Sequence, residues 1–250
     1  MADVLMQLDG LRKAYGSLVV TDDVSLAVHA GELHAVIGPN GAGKTTLVHQ
    51  MSGLLPSDAG RTTFAGGDIT ALGLAARARR GIARSFQITS VLPAFTAREN
   101  VAIAAQALAG SSFRFFAPVA EEKALNDAAA QALERVGLSS RADVQAQNLS
   151  HGEKRQLEIA IAMALEPKLL LLDEPLAGLG PEDSRQLITL LAKLKNEFTI
   201  VLVEHDMDAV FALADRVSVL VYGRVIASGP PAVIRNDPAV REAYLGEEGG

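Results

Sequence analysis

The segment that points most directly to a chemistry is the glycine-rich stretch GPNGAGKT at residues 38–45. It fits the pattern G-x-x-x-x-G-K-[ST], in which backbone N–H groups turn toward phosphate oxygens. The apolar run LHAVI precedes it and residues 46–52 can start a helix, whose N-terminus would favour an anion. A plain glycine-rich turn is the alternative. We expect ATP here, with Lys44 at the β- and γ-phosphates and Thr45 on Mg²⁺. The predicted nucleotide ligands are Gly38, Asn40, Gly41, Gly43, Lys44, Thr45 and Thr46.

An acidic pair follows a second apolar run. Residues 169–172 are four leucines, and Asp173 and Glu174 come directly after them. Two adjacent carboxylates at the end of a core strand are costly to bury without a function, although an exposed strand-to-loop pair is the alternative. We expect Asp173 to hold Mg²⁺ through water and Glu174 to polarise an attacking water molecule.

Four further motifs stand in order around these two. Tyr15 lies 23 residues before Gly38, residues 84–87 read RSFQ, residues 149–153 read LSHGE, and His205 follows the run TIVLV. Together with the loop and the acidic pair, this ordered set resembles the ATP-binding subunits of ABC transporters over essentially the whole chain. The resemblance implies an ATP-hydrolysing motor that is coupled to transmembrane transport.

The resemblance also implies roles for single residues. Tyr15 would stack on adenine, Gln87 would sense Mg²⁺ and water, and His205 would orient the attacking water at the γ-phosphate. Taken alone, Tyr15 also suits a half-buried strand aromatic, and His205 suits a strand-end histidine bonded to backbone. Lys44, Gln87, Glu174 and His205 are thus the predicted catalytic residues, and Thr45, Gln87 and Asp173 the predicted metal ligands.

The LSHGE segment has two interpretations. Ser150 and Glu153 form the capping box S-x-x-E at a helix start, and a helix N-terminus with the bare Gly152 is also an anion site. From the residues alone, a simple helix cap and a helix cap that also binds phosphate are equally supported. The resemblance implies that Ser150, Gly152 and Glu153 bind the γ-phosphate of ATP held by a facing subunit. His151 stands where the commonest form of this motif has glycine. Gly180 stands where many members of the family carry aspartate, which puts in doubt the contact that the aspartate side chain makes across the dimer.

These residues need a scaffold, which the hydrophobic pattern predicts. Apolar runs without polar alternation, such as TIVLV, favour parallel strands buried on both faces, whereas the N-terminal runs alternate like antiparallel strands. Alanine-rich helical spacing fills the middle third. We expect an α/β P-loop NTPase core with a parallel sheet, an N-terminal antiparallel β subdomain and an inserted helical subdomain. A single domain would span 1–250, with the core at 1–86 and 166–250 and the helical subdomain at 87–165.

Composition excludes several other classes. With 250 residues, 49% hydrophobic and 21% charged, the chain has the balance of a globular protein. The lack of cysteine excludes disulfides, thiolate zinc sites and cysteine nucleophiles. The net charge of −6 argues against a nucleic-acid partner. Because neither a signal peptide nor a membrane-length apolar run is evident, a membrane role would come through a partner.

Short segments indicate the branch of the family. Residues 204–207 (EHDM), 177–179, 84–87 and the ending 243–246 (AYLG) resemble importers of branched-chain and other hydrophobic amino acids, specifically the larger of their two ATPases. The runner-up is the lipopolysaccharide-export ATPase, which shares the ending and the stretch at 76–80. A soluble ABC ATPase acting on nucleic acid or ribosomes, and a P-loop kinase, are alternatives of other classes.

The importer interpretation implies a set of partners. We expect transmembrane permease subunits, a second ATPase in a heterodimer (with a homodimer left open) and, indirectly, a substrate-binding protein. The site of action would be the cytoplasmic face of the inner (plasma) membrane. Among the phenylalanines, we expect Phe95 to lie nearer the permease-binding groove than the cluster Phe113, Phe115 and Phe116.

Overall fold

A computed structural model describes residues 3–85, 91–109 and 123–245 of the chain. Within these ranges the chain forms two sheets and a set of helices. The strands are β1 (Val4–Tyr15), β2 (Leu18–His29), β3 (Leu33–Ile37), β4 (Ala59–Phe64), β5 (Gly67–Asp68), β6 (Ile82–Arg84), β7 (Leu169–Asp173), β8 (Thr199–Val203), β9 (Arg216–Val221) and β10 (Arg224–Gly229). The helices are α1 (Lys44–Ser52), α2 (Leu74–Ala78), α3 (Ala97–Ala109), α4 (Lys123–Arg135), α5 (His151–Met163), α6 (Pro181–Leu194), α7 (Met207–Leu213), α8 (Pro231–Ile234) and α9 (Pro238–Leu245).

The larger sheet has the strand order β10-β9-β3-β8-β7-β6. Adjacent strands of this sheet pair in parallel, except for β10, which runs antiparallel to β9 at one edge. Along β7, Leu169 and Leu171 pack into one hydrophobic cluster and Leu170 and Leu172 into the other. Burial on both faces explains the uninterrupted apolar runs and confirms the predicted parallel core. The antiparallel edge strand and the three-residue β6 were not predicted.

The smaller sheet is antiparallel, with the order β2-β1-β4-β5. The predicted N-terminal strands are confirmed in type. The alternating run 5–11 extends to Tyr15 in β1, and the runs 19–20 and 24–28, which the sequence indicates as separate, form the single strand β2. Met6 and Leu8 of β1 point inward and share a cluster with Leu47 and Met51 of α1. The antiparallel sheet therefore packs on the helix that begins in the glycine-rich loop.

Between β6 and β7 the described elements are helical. Helix α4 buries the stripe Leu125, Ala129 and Leu133, which lie on one face at helical spacing. These residues join the cluster that contains Leu170 and Leu172 of the sheet, so the helices share a core with the strands. Within the described ranges, no helix has the length and apolar character needed to span a bilayer.

Candidate functional site

The glycine-rich loop leaves β3 and ends at Lys44, the first residue of α1. Gly43 has a φ of 102°, and a Cβ on it would lie 2.4 Å from the carbonyl oxygen of Val20. Only glycine fits there, because both the backbone conformation and the space exclude a side chain. Lys44 is buried, and its ammonium donates to the carbonyl oxygens of Gly38 (2.6 Å) and Pro39 (2.9 Å). A positive charge thus lies against the backbone of the loop.

The loop forms one wall of a cavity at the carboxyl ends of β7 and β8. This is the edge of a parallel α/β sheet at which ligands commonly bind. The cavity brings most of the predicted loop residues together with Glu174 and His205. Its lining residues are Val20, Asn40, Gly41, Ala42, Gly43, Lys44, Thr45, Thr46, Glu174 and His205.

Glu174 and His205 form the opposite wall. Glu174 Oε1 lies 2.7 Å from His205 Nε2, and both side chains are partly exposed to solvent. The Glu174 backbone N–H donates to the Val203 carbonyl oxygen at 2.8 Å, which continues the β7–β8 pairing past the end of β7. Glu174 has a φ of 50°, an uncommon conformation for a residue with a side chain. A carboxylate and an imidazole that are in contact beside the glycine-rich loop can together orient a water molecule.

Asp173 is almost fully buried beneath this pair. Its Oδ2 accepts a hydrogen bond from Arg84 Nη2 at 3.2 Å, whereas its buried Oδ1 has no hydrogen-bond partner among the described residues. Burial raises the pKa of Asp173 above its usual value; the charge of Arg84 opposes this rise and that of Glu174 adds to it. A carboxylate oxygen without a partner, on a side chain that interacts with the charge of Lys44, fits a magnesium ligand that acts directly or through water.

Glu204 is a positioning residue that the sequence analysis did not identify. It is buried at the end of β8, where its two oxygens accept hydrogen bonds from the backbone N–H groups of Leu176 (2.7 Å) and His205 (3.1 Å). Burial raises its pKa, and its backbone donors oppose the rise. It therefore joins the loop after Glu174 to the start of the His205 segment. A carboxylate directly after a mostly apolar run was the available signal, because such a charge needs partners when it is buried.

Tyr15 lies at the end of β1, opposite Leu18, and is 54% exposed. Lys13 Nζ lies 5.9 Å from its ring centroid. Tyr15 does not line the cavity beside the glycine-rich loop, but Val20 of the same hairpin does. The ring thus lies on the hairpin that contributes Val20 to the cavity, and more than half of its surface is open to solvent, so it is accessible for stacking.

The capping box at α5 has the geometry that its sequence predicts. The Ser150 Oγ accepts from the Glu153 backbone N–H (3.2 Å), and Glu153 Oε2 accepts from the Ser150 backbone N–H (2.8 Å). Ser150, Gly152 and Glu153 do not line the cavity beside the glycine-rich loop. They line a separate small cavity, together with Gln156, Asp183, Gln186 and Leu187 of α5 and α6.

The two sequence departures lie near this second cavity. His151 is exposed, and its Nε2 would be 3.3 Å from a Cβ built on Gly178, in the loop that follows Glu174. Gly180 is the N-cap residue of α6 and provides no side-chain cap. The loop after Glu174 therefore contacts the start of α5 within one chain. The prediction for Gln87 falls outside the described residues, as does the cluster Phe113, Phe115 and Phe116. Phe95 is described and is 43% exposed.

Similar proteins are known. Residues 21–177 match the ABC transporter family, and residues 224–250 match the family described as branched-chain amino acid ATP-binding cassette transporter. The chain is 39% identical, over 99% of its length and 100% of the relative, to the high-affinity branched-chain amino acid transport ATP-binding protein LivG of Salmonella typhimurium. It is 36% identical, over 95% of both chains, to the lipopolysaccharide export system ATP-binding protein LptB of Escherichia coli.

Solved structures agree with this assignment. The ADP conformation of MJ1267, an ATP-binding cassette of an ABC transporter, superposes with a TM-score of 0.87 at 31% identity, over 98% of this chain and 99% of that one. A dimeric post-hydrolysis state of the cassette MJ0796, bound to ADP and Pi, gives 0.78 at 25% identity, over 91% and 99%. This chain therefore belongs to the ABC transporter family and is an ATP-binding subunit that couples ATP hydrolysis to transport.

Proposed function

We propose that this ATPase drives an importer of branched-chain or other hydrophobic amino acids. The observation that carries this proposal is the match of residues 224–250 to a branched-chain transporter family, at the end of a chain that resembles LivG over its full length. In the structure this region begins at β10, the antiparallel edge strand, and includes α8 and α9. The proposed specificity is thus supported by a segment outside the shared ATPase motifs.

In the proposed mechanism the chain positions ATP and one water molecule. The backbone N–H groups of residues 38–46 and Lys44 hold the phosphates, and Tyr15 supports the base. Thr45, Asp173 and Gln87 would hold Mg²⁺, which supplies positive charge to the phosphate oxygens when bound. Glu174 accepts the proton of the attacking water, while His205 keeps Glu174 and that water in place.

We further propose that the two cavities complete each other between two subunits. In one chain Ser150, Gly152 and Glu153 line a cavity separate from that of the loop, so a facing subunit would bring the helix N-terminus of α5 to the phosphates. The expected partner is a second, related ATPase. The pair would act on permease subunits at the cytoplasmic face of the plasma membrane and be served by a substrate-binding protein. Residues 87–165 would form the helical subdomain and residues 1–86 and 166–250 the core.

A lipopolysaccharide-export ATPase is the second candidate, since LptB is 36% identical over 95% of both chains. The match at residues 224–250 favours the importer. An ATPase acting on nucleic acid or ribosomes has less support, because the net charge of −6 disfavours a polyanionic partner.

The deciding experiment isolates the tagged protein from the membranes of its source organism and identifies its partners by mass spectrometry. Two polytopic permeases and a second ATPase are expected. Lipid-export components would favour the second candidate, and ribosomal partners alone would refute a transport role.

A reconstitution then tests the cargo. The complex is placed in liposomes, and ATP-dependent uptake of radiolabelled leucine, isoleucine and valine is compared with uptake of lysine and glutamate. Glu174→Gln serves as the inactive control. Uptake limited to charged amino acids would contradict the proposed cargo.

A further inference from the structure

The buried ion pair between Arg84 and Asp173 has a geometry that the proposed mechanism does not explain. Both side chains are at most 3% exposed, and Arg84 Nη2 lies 3.2 Å from Asp173 Oδ2. Burying an arginine and an aspartate is costly, so a charge pair at this depth is weak evidence for stability alone. Because Asp173 is also a proposed magnesium ligand, we look for a functional reason for the pair.

The register of the sheet places the two residues on the same face. Arg84 pairs with Leu171 in the parallel β6–β7 ladder, and Asp173 lies two residues further along β7. Residues two apart on a strand point to the same side. That side is the α1 face, because Leu171 shares its hydrophobic cluster with Leu47 and Met51. The guanidinium therefore approaches Asp173 from beside the helix that begins at Lys44.

The contact distinguishes the two oxygens of the carboxylate. Oδ2 is occupied by Arg84, whereas Oδ1 is buried and has no hydrogen-bond partner in the described part of the chain. A buried carboxylate with one oxygen fixed cannot rotate freely about its terminal torsion. Groups that hydrogen-bond a metal-binding side chain commonly fix its orientation in this way.

We propose that Arg84 is a positioning residue for the magnesium site, holding Asp173 Oδ2 so that Oδ1 faces the metal and its water molecules. In this arrangement Arg84 acts on the metal through its hydrogen bond to Asp173. The inference rests on the magnesium site proposed above. It adds a residue of β6 to that site, directly before the segment that contains Gln87.

The test measures how much Mg²⁺ strengthens ATP binding, and it needs no turnover. The affinity for a fluorescent ATP analogue is measured in EDTA and in excess MgCl₂, and the ratio of the two dissociation constants is compared among variants. Arg84→Gln should lower this ratio about tenfold or more, as is typical when a residue supporting a metal ligand is lost. Its affinity in EDTA should stay within about twofold of the unaltered protein, since the loop is intact.

Arg77→Gln is the matched control. Arg77 is also a buried arginine in the core, but it donates to the carbonyl oxygens of Gln50, Met51, Leu72 and Ile69 and does not contact Asp173. Its loss should reduce stability and leave the ratio unchanged. If Arg84→Gln does not fold, Arg84→Lys is used in its place; it keeps the charge with a different donor geometry and should lower the ratio about threefold.

The outcomes of these measurements decide the proposal. In an Asp173→Asn background, Arg84→Gln should have no further effect on the ratio, because its action passes through Asp173. An unchanged ratio in the Arg84 variants, or an equal fall in Arg77→Gln, would overturn the role of Arg84 alone. A ratio of one in the unaltered protein would instead refute the magnesium site itself, so the two failures are distinguishable.

Discussion

Glu174 and His205 are in direct contact, with Oε1 and Nε2 separated by 2.7 Å, although 31 residues separate them in the chain. The contact exists because β7 and β8 are parallel neighbours, so the residues that follow their carboxyl ends meet. Glu204, directly before His205, reinforces it by binding the backbone N–H groups of Leu176 and His205. The pair is thus held by the sheet from both strands, beside the loop that carries Lys44.

Glu174→Gln should retain ATP binding and lose hydrolysis. Glutamine keeps the size of the side chain and can hydrogen-bond His205, but it cannot accept a proton from water. We expect turnover to fall at least about 100-fold, which corresponds to about 2.7 kcal/mol of barrier. Phosphate release and nucleotide affinity are measured on the same preparation, with the exposed Glu134→Gln as control. Near-normal hydrolysis by Glu174→Gln would show that another group is the base.

His205→Ala should lower hydrolysis at least about tenfold, because Glu174 and the water would lose their fixed geometry. The two residues act as one unit, so their effects should not add. The double variant Glu174→Gln/His205→Ala is expected within about threefold of Glu174→Gln alone. Multiplicative losses, measured in the same phosphate-release assay, would mean that the two side chains act independently in spite of their contact.

Lys44→Ala should weaken ATP binding at least about 30-fold, or about 2 kcal/mol, since the variant removes a buried positive charge beside the loop. The ammonium now donates to Gly38 and Pro39, so its removal also leaves those carbonyl oxygens without this donor. Titration calorimetry with ATP provides the measurement. The surface variant Lys193→Ala, at an exposed position of α6, should bind ATP normally, and equal affinity of both variants would exclude a phosphate role for Lys44.

The local backbone of this site could be predicted from the sequence, whereas the roles of its residues remain predictions. The glycine pattern, the acidic pair after four leucines and the S-x-x-E cap each predict a backbone geometry that the structure contains. Arg84 and Glu204 were missed because their importance lies in contacts across strands, and a pattern along the chain does not reveal which carboxylate or N–H a buried charge meets. The edge strand β10 was missed for a similar reason, since its exposed face weakens the apolar signal.

Ser150→Ala should destabilise the nucleotide-free protein by about 1 kcal/mol, because α5 loses its side-chain cap. The melting midpoint should fall by about 2–4 °C for a chain of this size. Glu153→Gln should retain most of the stability, since glutamine can still accept from the Ser150 N–H, whereas Glu153→Ala should not. Calorimetric scans of the three variants provide the measurement. Equal midpoints for Glu153→Gln and Glu153→Ala would mean that the reciprocal bond contributes nothing to stability.

Glu158 should make folding stability depend on pH. It is buried in α5, where burial raises its pKa and the nearby charge of Arg155 opposes the rise only in part; its Oε1 has no partner in the described chain. Between the usual pKa of 4.5 and the raised value, the folded protein binds more protons at this residue than the unfolded chain does. The contribution of Glu158 to the unfolding free energy is therefore lost as the pH rises through that window.

Glu158→Gln tests this directly, because glutamine is uncharged at every pH and nearly the same size. Urea unfolding of both proteins is followed from below pH 4.5 to pH 8, and the free energy of the variant minus that of the unaltered protein is plotted against pH. This difference should increase with pH and then level off, because ionisation penalises only the unaltered protein. Other carboxylates contribute equally to both curves and cancel. A difference that stays constant, or that decreases with pH, would show that Arg155 compensates the buried charge in full.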